Sequence, residues 1–374
     1  MKLIKNIRSE IIIFTFFVLV HLVDLGHDNF NTDVWKWKQR SYDFGTGVYG
    51  LQFEKTFQKY HPGVTLMWIG STGVKISNLL TQDLFKEAFN TNIKQLFLLD
   101  SIQKGLLVIV IGLVLSFSFY VVRKLFGQKF AFLAFILITL EPFYLGLTRV
   151  FHLEGIMSTF MLASVLWLYY YFIDTNKKRR LYISAVFGGL AVLTKTSSLF
   201  LLPFVGFSLV FLSGFIGYKE KLKISYFKKP VLLGLTWFGI CVLVFVALWP
   251  VMWVNPLKAL TGLYQGIADV GIETDHSQIY FGQKVADPGT LYYFVVLAFR
   301  SSVWMLLGFF GALYLLISKK FSDDKNKFIV FLLAYSFLYF AEITVPSKKL
   351  DRYILPSILT MSLVSTMFFY WVVE

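Results

Sequence analysis

The sequence predicts an all-α polytopic membrane protein of about ten transmembrane helices, and three observations carry that prediction. The first is composition: of 374 residues, 56% are hydrophobic, 19% aromatic and only 16% charged, an apolar share above that of soluble domains. The second is a series of long uncharged runs, among them GLLVIVIGLVLSFSFYVV (105–122) and VLLGLTWFGICVLVFVALWP (231–250). About 20 such residues cross a bilayer as a helix, and the lack of period-2 alternation leaves helices as the spanning element. The third is the placement of Lys and Arg. The net charge of +14 is concentrated between the apolar runs, which signals topology rather than a nucleic-acid partner.

The elements follow in order. The N-terminal MKLIKNIR leads into an apolar run with no small-residue cleavage site after it, so it reads as a retained first span. The one cysteine, Cys241, falls inside a span and excludes an internal disulfide. The N-terminus and the basic segments 123–129, 175–180, 218–229 and 318–327 are expected to be cytoplasmic, because positive charge is retained on that side. They agree only if Val64–Leu80 does not cross the membrane. Spans are then expected near 9–25, 105–122, 130–147, 154–173, 181–194, 196–217, 231–250, 291–317, 328–345 and 354–373. The reading is one transmembrane domain over 1–374 in the plasma membrane, with both termini inside. A long external loop, 26–104, carries helices lying along the membrane face; a second covers 251–290, and a third is the short VPSKKLDRY, 345–353.

Function is expected on the external side. In NTDVWKWKQR (31–40), Asp33 follows the exit of the first span and is a candidate base; it equally suits the cap of a helix beginning at Val34. TRVFHLEG (148–155) puts Arg149, His152 and Glu154 at the mouth of two spans, where an acid so close to lipid signals a role, unless Arg149 and Glu154 simply form a salt bridge that tidies a helix end. Lys195 stands at an external turn against the positive-inside bias, and Lys348, Lys349 and Arg352 lie on the same side. Lys349 reads as a solvated or snorkelling side chain. In KYHPGVT (59–65), Pro62 and Gly63 turn the chain back toward the membrane with His61 beside them. Several external cations with two acids against apolar helices point to a phosphate carried on a membrane lipid.

Taken together these motifs resemble the GT-C superfamily of glycosyltransferases, in particular the phospholipid-carrier-dependent relatives of protein O-mannosyltransferases and of lipid A aminoarabinose transferase. The resemblance rests on the acid after the first span (Asp33), the His-Pro-Gly turn (His61 to Gly63), Arg149 to Glu154, the GLAVLTK turn (Gly189 to Lys195) and the ending from Lys349 to Pro356. The chain departs from the family in having a lone Asp33 where mannosyltransferases commonly carry an Asp-Glu pair, and HPG in place of KPP.

What the resemblance implies is transfer of a sugar from a polyprenyl-phosphate donor to an acceptor hydroxyl of a protein, lipid or glycan at the outer membrane face, with inversion. Asp33 would be the base, with Glu154 orienting it or binding the sugar. His61, Arg149, Lys195, Lys348 and Arg352 would meet the donor phosphate. His276, Tyr292 and Tyr293 would contact the sugar, the isoprenoid or the acceptor. No cofactor motif, phosphate-cradling glycine loop or His/Cys metal cluster is visible, which leaves a divalent cation as an unassigned option. Two other classes stay open at this point: a flippase or transporter of lipid-linked sugars, and a noncatalytic membrane subunit that keeps the fold. Transporters place polar groups near the bilayer midplane, whereas these acids cluster at one face.

Overall fold

The computed structural model describes residues 2–26, 32–80, 93–215, 225–272 and 278–374. Its helices are α1 (Lys2–Leu22), α2 (Thr32–Tyr49), α3 (Val64–Leu80), α4 (Ile93–Phe126), α5 (Gln128–Thr139), α6 (Pro142–Arg149), α7 (Leu153–Ile173), α8 (Lys178–Thr194), α9 (Leu201–Phe215), α10 (Ser225–Leu248), α11 (Val251–Val254), α12 (Pro256–Ile272), α13 (Tyr292–Arg300), α14 (Val303–Ile317), α15 (Asp323–Thr344) and α16 (Leu355–Val373). Short 3-10 helices cover Phe53–Thr56, Thr196–Phe200 and Asp351–Ile354. Among the described residues the only sheet is a hairpin, β1 (Gln278–Tyr280) paired antiparallel with β2 (Gln283–Val285). Its two turn residues, Phe281 and Gly282, both have positive φ, as the twist of a tight hairpin demands.

The axis of the bundle is α7. Every residue from Leu153 to Tyr169 is buried, and a helix apolar all round is one that packs on every side. Its neighbours are α4, α8 and α16. The first thirteen positions of α16, Leu355–Met367, are buried as well. Small hydroxyl residues let these helices approach closely: Ser164 donates to the Ser184 carbonyl at 2.9 Å, and Ser336 and Thr360 share a hydrogen bond of 2.7 Å. By contrast α10 exposes Leu232, Leu235 and Leu243, the pattern of a helix whose outer face meets lipid.

Five described helices are long and apolar enough to cross a membrane, and seven if each of two bent pairs counts as one span. Those pairs correct the expected spans 130–147 and 291–317. The first is broken between α5 and α6 by 64°, because Glu141 precedes Pro142 and the proline ring pushes it to an extended conformation. The second turns by 116° between α13 and α14, where Ser302 caps α14 by accepting from the Met305 amide. Glu141 joins the two breaks, accepting from the Ser302 amide at 2.9 Å and from its hydroxyl. Helix α4 begins twelve positions before the expected start at 105. At 34 residues it is about 51 Å long, some 20 Å more than a bilayer core needs.

Antiparallel packing of α7 on α8 gives the bundle two chemically different ends. The α7–α8 turn, with Lys177, Lys178, Arg179 and Arg180, forms one. The start of α7 and the end of α8, with Glu154 and Lys195, form the other. In a Cys241-free background, cysteines at Lys55 and Lys284 are expected to react with an impermeant thiol reagent from one side of the membrane, and a cysteine at Lys178 from the opposite side only. Equal reaction of Lys55 and Lys178 positions from one side would overturn this topology.

Candidate active site

The loop read as KYHPGVT is a clamp. Gly63 adopts φ of +59°, and a Cβ there would fall 2.1 Å from the Trp37 ring, so only glycine lets the turn pass this close. Its amide donates to the Thr194 carbonyl at 3.0 Å, and Thr65 shares a 2.6 Å hydrogen bond with the Thr194 hydroxyl. The turn is thereby fastened to the C-terminal end of α8. His61 comes to rest with Nδ1 3.3 Å from the Thr196 hydroxyl, directly beyond Lys195.

Four elements deliver charge to the same place. Asp33 lies within the first turn of α2, which begins at Thr32, where a carboxylate also suits the helix dipole. Glu154 lies in the first turn of α7. Lys195 is an extended residue between α8 and the following 3-10 helix. Arg352 is in the 3-10 helix that leads into α16.

These side chains form one connected group. Arg352 Nη2 donates to Asp33 Oδ2 at 2.9 Å and its Nε to Glu154 Oε1 at 3.2 Å. Lys195 Nζ donates to the same Glu154 oxygen at 2.8 Å and sits 3.8 Å from the centre of the Tyr353 ring. His152 links both acids: Nδ1 pairs with Glu154 Oε2, and Nε2 lies 3.8 Å from Asp33 Oδ2. Glu154 is 1% exposed as a side chain, and Asp33 34%. The difference divides their chemistry: Asp33 can be reached by a reactant, and Glu154 is enclosed by its partners. Lysine has three N–H donors and arginine five, so both cations retain donors for an anionic ligand.

Burial raises the Asp33 carboxyl, but Arg352, His152 and Lys36 together hold it below the usual carboxylate range. His61 is pushed down to about 3, first by burial and then by the nearby Lys195. It therefore stands at neutral pH as an uncharged imidazole. An unfolded chain takes up this proton near pH 6.5, so His61 contributes stability fully above that value and loses it as pH falls toward 3. The His61 ring resonances are expected not to titrate between about pH 5 and 8. A midpoint near 6.5 by NMR would overturn this.

The remaining expected site residues are elsewhere or one layer removed. The Arg149 guanidinium donates to the Val23 carbonyl at 2.6 Å, at the exit of α1, while Glu154 pairs with Lys195 and Arg352. Lys348 is half-buried. Lys349, read from sequence as solvated, is instead 1% exposed, with Nζ 2.7 Å from Asp287 Oδ1 and its amide on Gln278. The β1–β2 segment is thus tied to the Arg352 turn. Tyr292 and Tyr293 pack edge to face at 5.0 Å. Tyr293 is fully buried, and their helix, α13, touches the 3-10 helix of Arg352. His276 lies outside the described residues.

The sequence assigns His152 no role of its own and places Tyr353 only within the Lys349–Pro356 ending, and a second charged group has no counterpart there. Lys38 Nζ lies 2.8 Å from Asp100 Oδ1 and 2.7 Å from Gln103 Oε1, and Lys104 lies 2.8 Å from Asp100 Oδ2. All four side chains are buried. Gln103 continues to the Gly70 carbonyl at 3.0 Å, so the network ties α2, which carries Asp33, to α3 and α4. Burial brings Lys38 down to about 8, with Asp100 opposing the shift. The Asp100–Lys104 spacing of four is a readable helix pair; Lys38, more than sixty positions away, gives no local signal.

Residues 89–251 match the family model described as dolichyl-phosphate-mannose-protein mannosyltransferase. Comparison with curated protein sequences gives no match. Among solved structures the chain is similar to ArnT from Cupriavidus metallidurans bound to undecaprenyl phosphate, with a TM-score of 0.64 at 14% identity over 96% of this chain and 59% of that one. It is also similar to the Archaeoglobus fulgidus oligosaccharyltransferase in the apo form, with a TM-score of 0.52 at 12% identity over 97% of this chain and 50% of the other. The chain therefore spans between half and three fifths of the length of these structures. Its fold is that of these two structures.

Proposed function

Proceeding from the GT-C fold, we propose that the chain transfers a sugar from a polyprenyl-phosphate donor to an acceptor hydroxyl, with inversion, at the outer face of the membrane. The observation that carries this reading is the meeting of Asp33, Glu154, Lys195 and Arg352, drawn from four elements and as much as 319 positions apart, in one hydrogen-bonded group. In this reading Asp33 removes the hydroxyl proton as the oxygen attacks the anomeric carbon from the face opposite the phosphate. The bond from that carbon to the phosphate oxygen breaks, and its electron pair leaves with the polyprenyl phosphate. Such a leaving group needs its growing negative charge met more than it needs a proton, and Lys195 and Arg352 supply that. His61 adds a neutral N–H at the edge of the site, and Glu154 holds the two cations in place.

Arg352 is shared between Asp33 and Glu154. An incoming phosphate competes for the same guanidinium, and drawing it from Asp33 restores basicity to the carboxylate that has work to do. The place of Glu154 and Lys195, at the start of α7 and the end of α8, supports a site at one face of the bundle.

The test is purified full-length protein in lipid vesicles, supplied with a panel of polyprenyl-phosphate sugars and a mixture of acceptors, following release of free polyprenyl phosphate. Lys195→Ala is expected to weaken both donor binding and turnover by about tenfold or more, because the cation meets charge in the ground state that grows in the transition state. Absence of release from any donor by the wild-type protein would favour the transporter or noncatalytic reading and overturn this one.

A further inference from the structure

At the opposite end of the bundle, α1, α4, α7 and α8 leave a groove of about 1250 Å³ between them. Glu154 and Tyr170 lie sixteen positions apart on α7, which separates this groove from the charged cluster by about 24 Å. Its wall is apolar, formed by Ile11, Phe14, Leu113, Phe117 and Ile183. Its rim is cationic, with Arg123, Lys124 and the run Lys177 to Arg180.

Two of these cations are already neutralised: Arg123 lies 2.7 Å from Glu10, and Lys177 3.2 Å from Asp174. Lys124, Lys178, Arg179 and Arg180 form no ion pair among the described residues. Arg180 is nevertheless fixed, donating to the Tyr170 carbonyl at 2.7 Å with its guanidinium 3.4 Å from the centre of the Tyr170 ring. Deeper in the groove wall, Trp167 is 6% exposed and stacks on Tyr120 at 5.9 Å. Its indole N–H is buried and has no hydrogen-bond partner. A buried donor left in that state costs free energy unless a ligand supplies an acceptor.

We propose that this groove is a binding site for one anionic phospholipid of the cytoplasmic leaflet. The phosphate lies at the rim against Lys178, Arg179 and Arg180, and an acyl chain follows the apolar wall. An ester carbonyl just below the headgroup accepts from Trp167. Basic pockets between spanning helices on the cytoplasmic side suit anionic headgroups for this electrostatic reason. A neutral lipid leaves the four cations unanswered. A polyprenyl phosphate satisfies the cations but carries no ester oxygen at the depth of the indole. The assignment uses the topology and is independent of the proposed transfer reaction.

The test measures retention of lipid by the detergent-purified full chain in native mass spectrometry, after incubation with phosphatidylglycerol, phosphatidylcholine or undecaprenyl phosphate. Phosphatidylglycerol is expected to bind about tenfold or more tightly than phosphatidylcholine. Lys178→Gln combined with Arg179→Gln, both exposed positions, should remove most of that preference. Trp167→Phe, which deletes the N–H and leaves every charge in place, should weaken phosphatidylglycerol severalfold. Equal retention of phosphatidylcholine, or an unchanged preference in the double variant, would overturn the site. Tighter retention of undecaprenyl phosphate than of phosphatidylglycerol, lost in the double variant, would overturn the assignment of a bilayer phospholipid.

Discussion

Asp33→Asn is expected to lower turnover by about 100-fold or more while the polyprenyl-phosphate donor still binds. The amide keeps the size of the carboxylate and an oxygen to accept from Arg352, so the ion-paired scaffold loses little. What it loses is the ability to take a proton, the role that the proposed reaction gives to Asp33. Glu154 cannot readily substitute, because it is enclosed by His152, Lys195 and Arg352 with 1% of its side chain exposed. The pH dependence follows from the environment of Asp33. Although burial raises its pKa, Arg352, His152 and Lys36 lower it further than burial lifts it, so Asp33 stays ionised down to acidic pH and is protonated only below the usual carboxylate range. The kcat/KM for donor, which reports the free protein, should therefore show no loss of base until the pH falls below the usual carboxylate range. Donor binding by Asp33→Asn at wild-type affinity with wild-type release of polyprenyl phosphate would remove Asp33 from the role of base and leave Glu154 as the acid to test.

How far the sequence could be read depended on whether a feature was local. The helical membrane architecture was legible because each span carries its own apolar run. The breaks at Glu141 and Ser302 were not legible as breaks. Glu141-Pro142 was a local warning inside an apolar run, but Ser302 becomes a cap only because the chain turns there and meets Glu141 from a distant helix. The same distinction runs through the charged group. Asp33, Glu154, Lys195 and Arg352 could be nominated singly, each being an ionisable residue at the end of an apolar run. Their mutual distances could not, since the four lie on separate elements as much as 319 positions apart. Lys349 was misread for a related reason: its partner Asp287 lies 62 positions away, and a lysine in a short polar loop looks solvated until that partner is known. Arg149 seemed destined for Glu154 by a spacing of five, but a spacing inside one helix has no force when Val150 and His152 between them are extended.

Glu154→Gln should lower stability by about 3–5 kcal/mol, because it leaves two cations in a buried site without the anion that compensates them. Lys195 is 5% exposed, so little water can take the place of the lost carboxylate. Arg352 retains Asp33, so Lys195 is the side chain that loses most. The effect should appear as a large drop in the thermal midpoint of the purified protein in detergent, together with loss of turnover. Turnover alone does not separate a positioning role from a chemical one, and a second substitution does. Combining Glu154→Gln with Lys195→Met removes both charges of the buried pair, and replacing a buried pair by neutral groups costs far less than breaking it. The double variant should recover most of the lost midpoint and none of the activity, since the proposed transfer needs that cation against the donor phosphate. If Glu154→Gln unfolds at the wild-type temperature, the carboxylate is not what holds Lys195 and Arg352, and the convergence at Glu154 would have to be maintained by backbone packing alone.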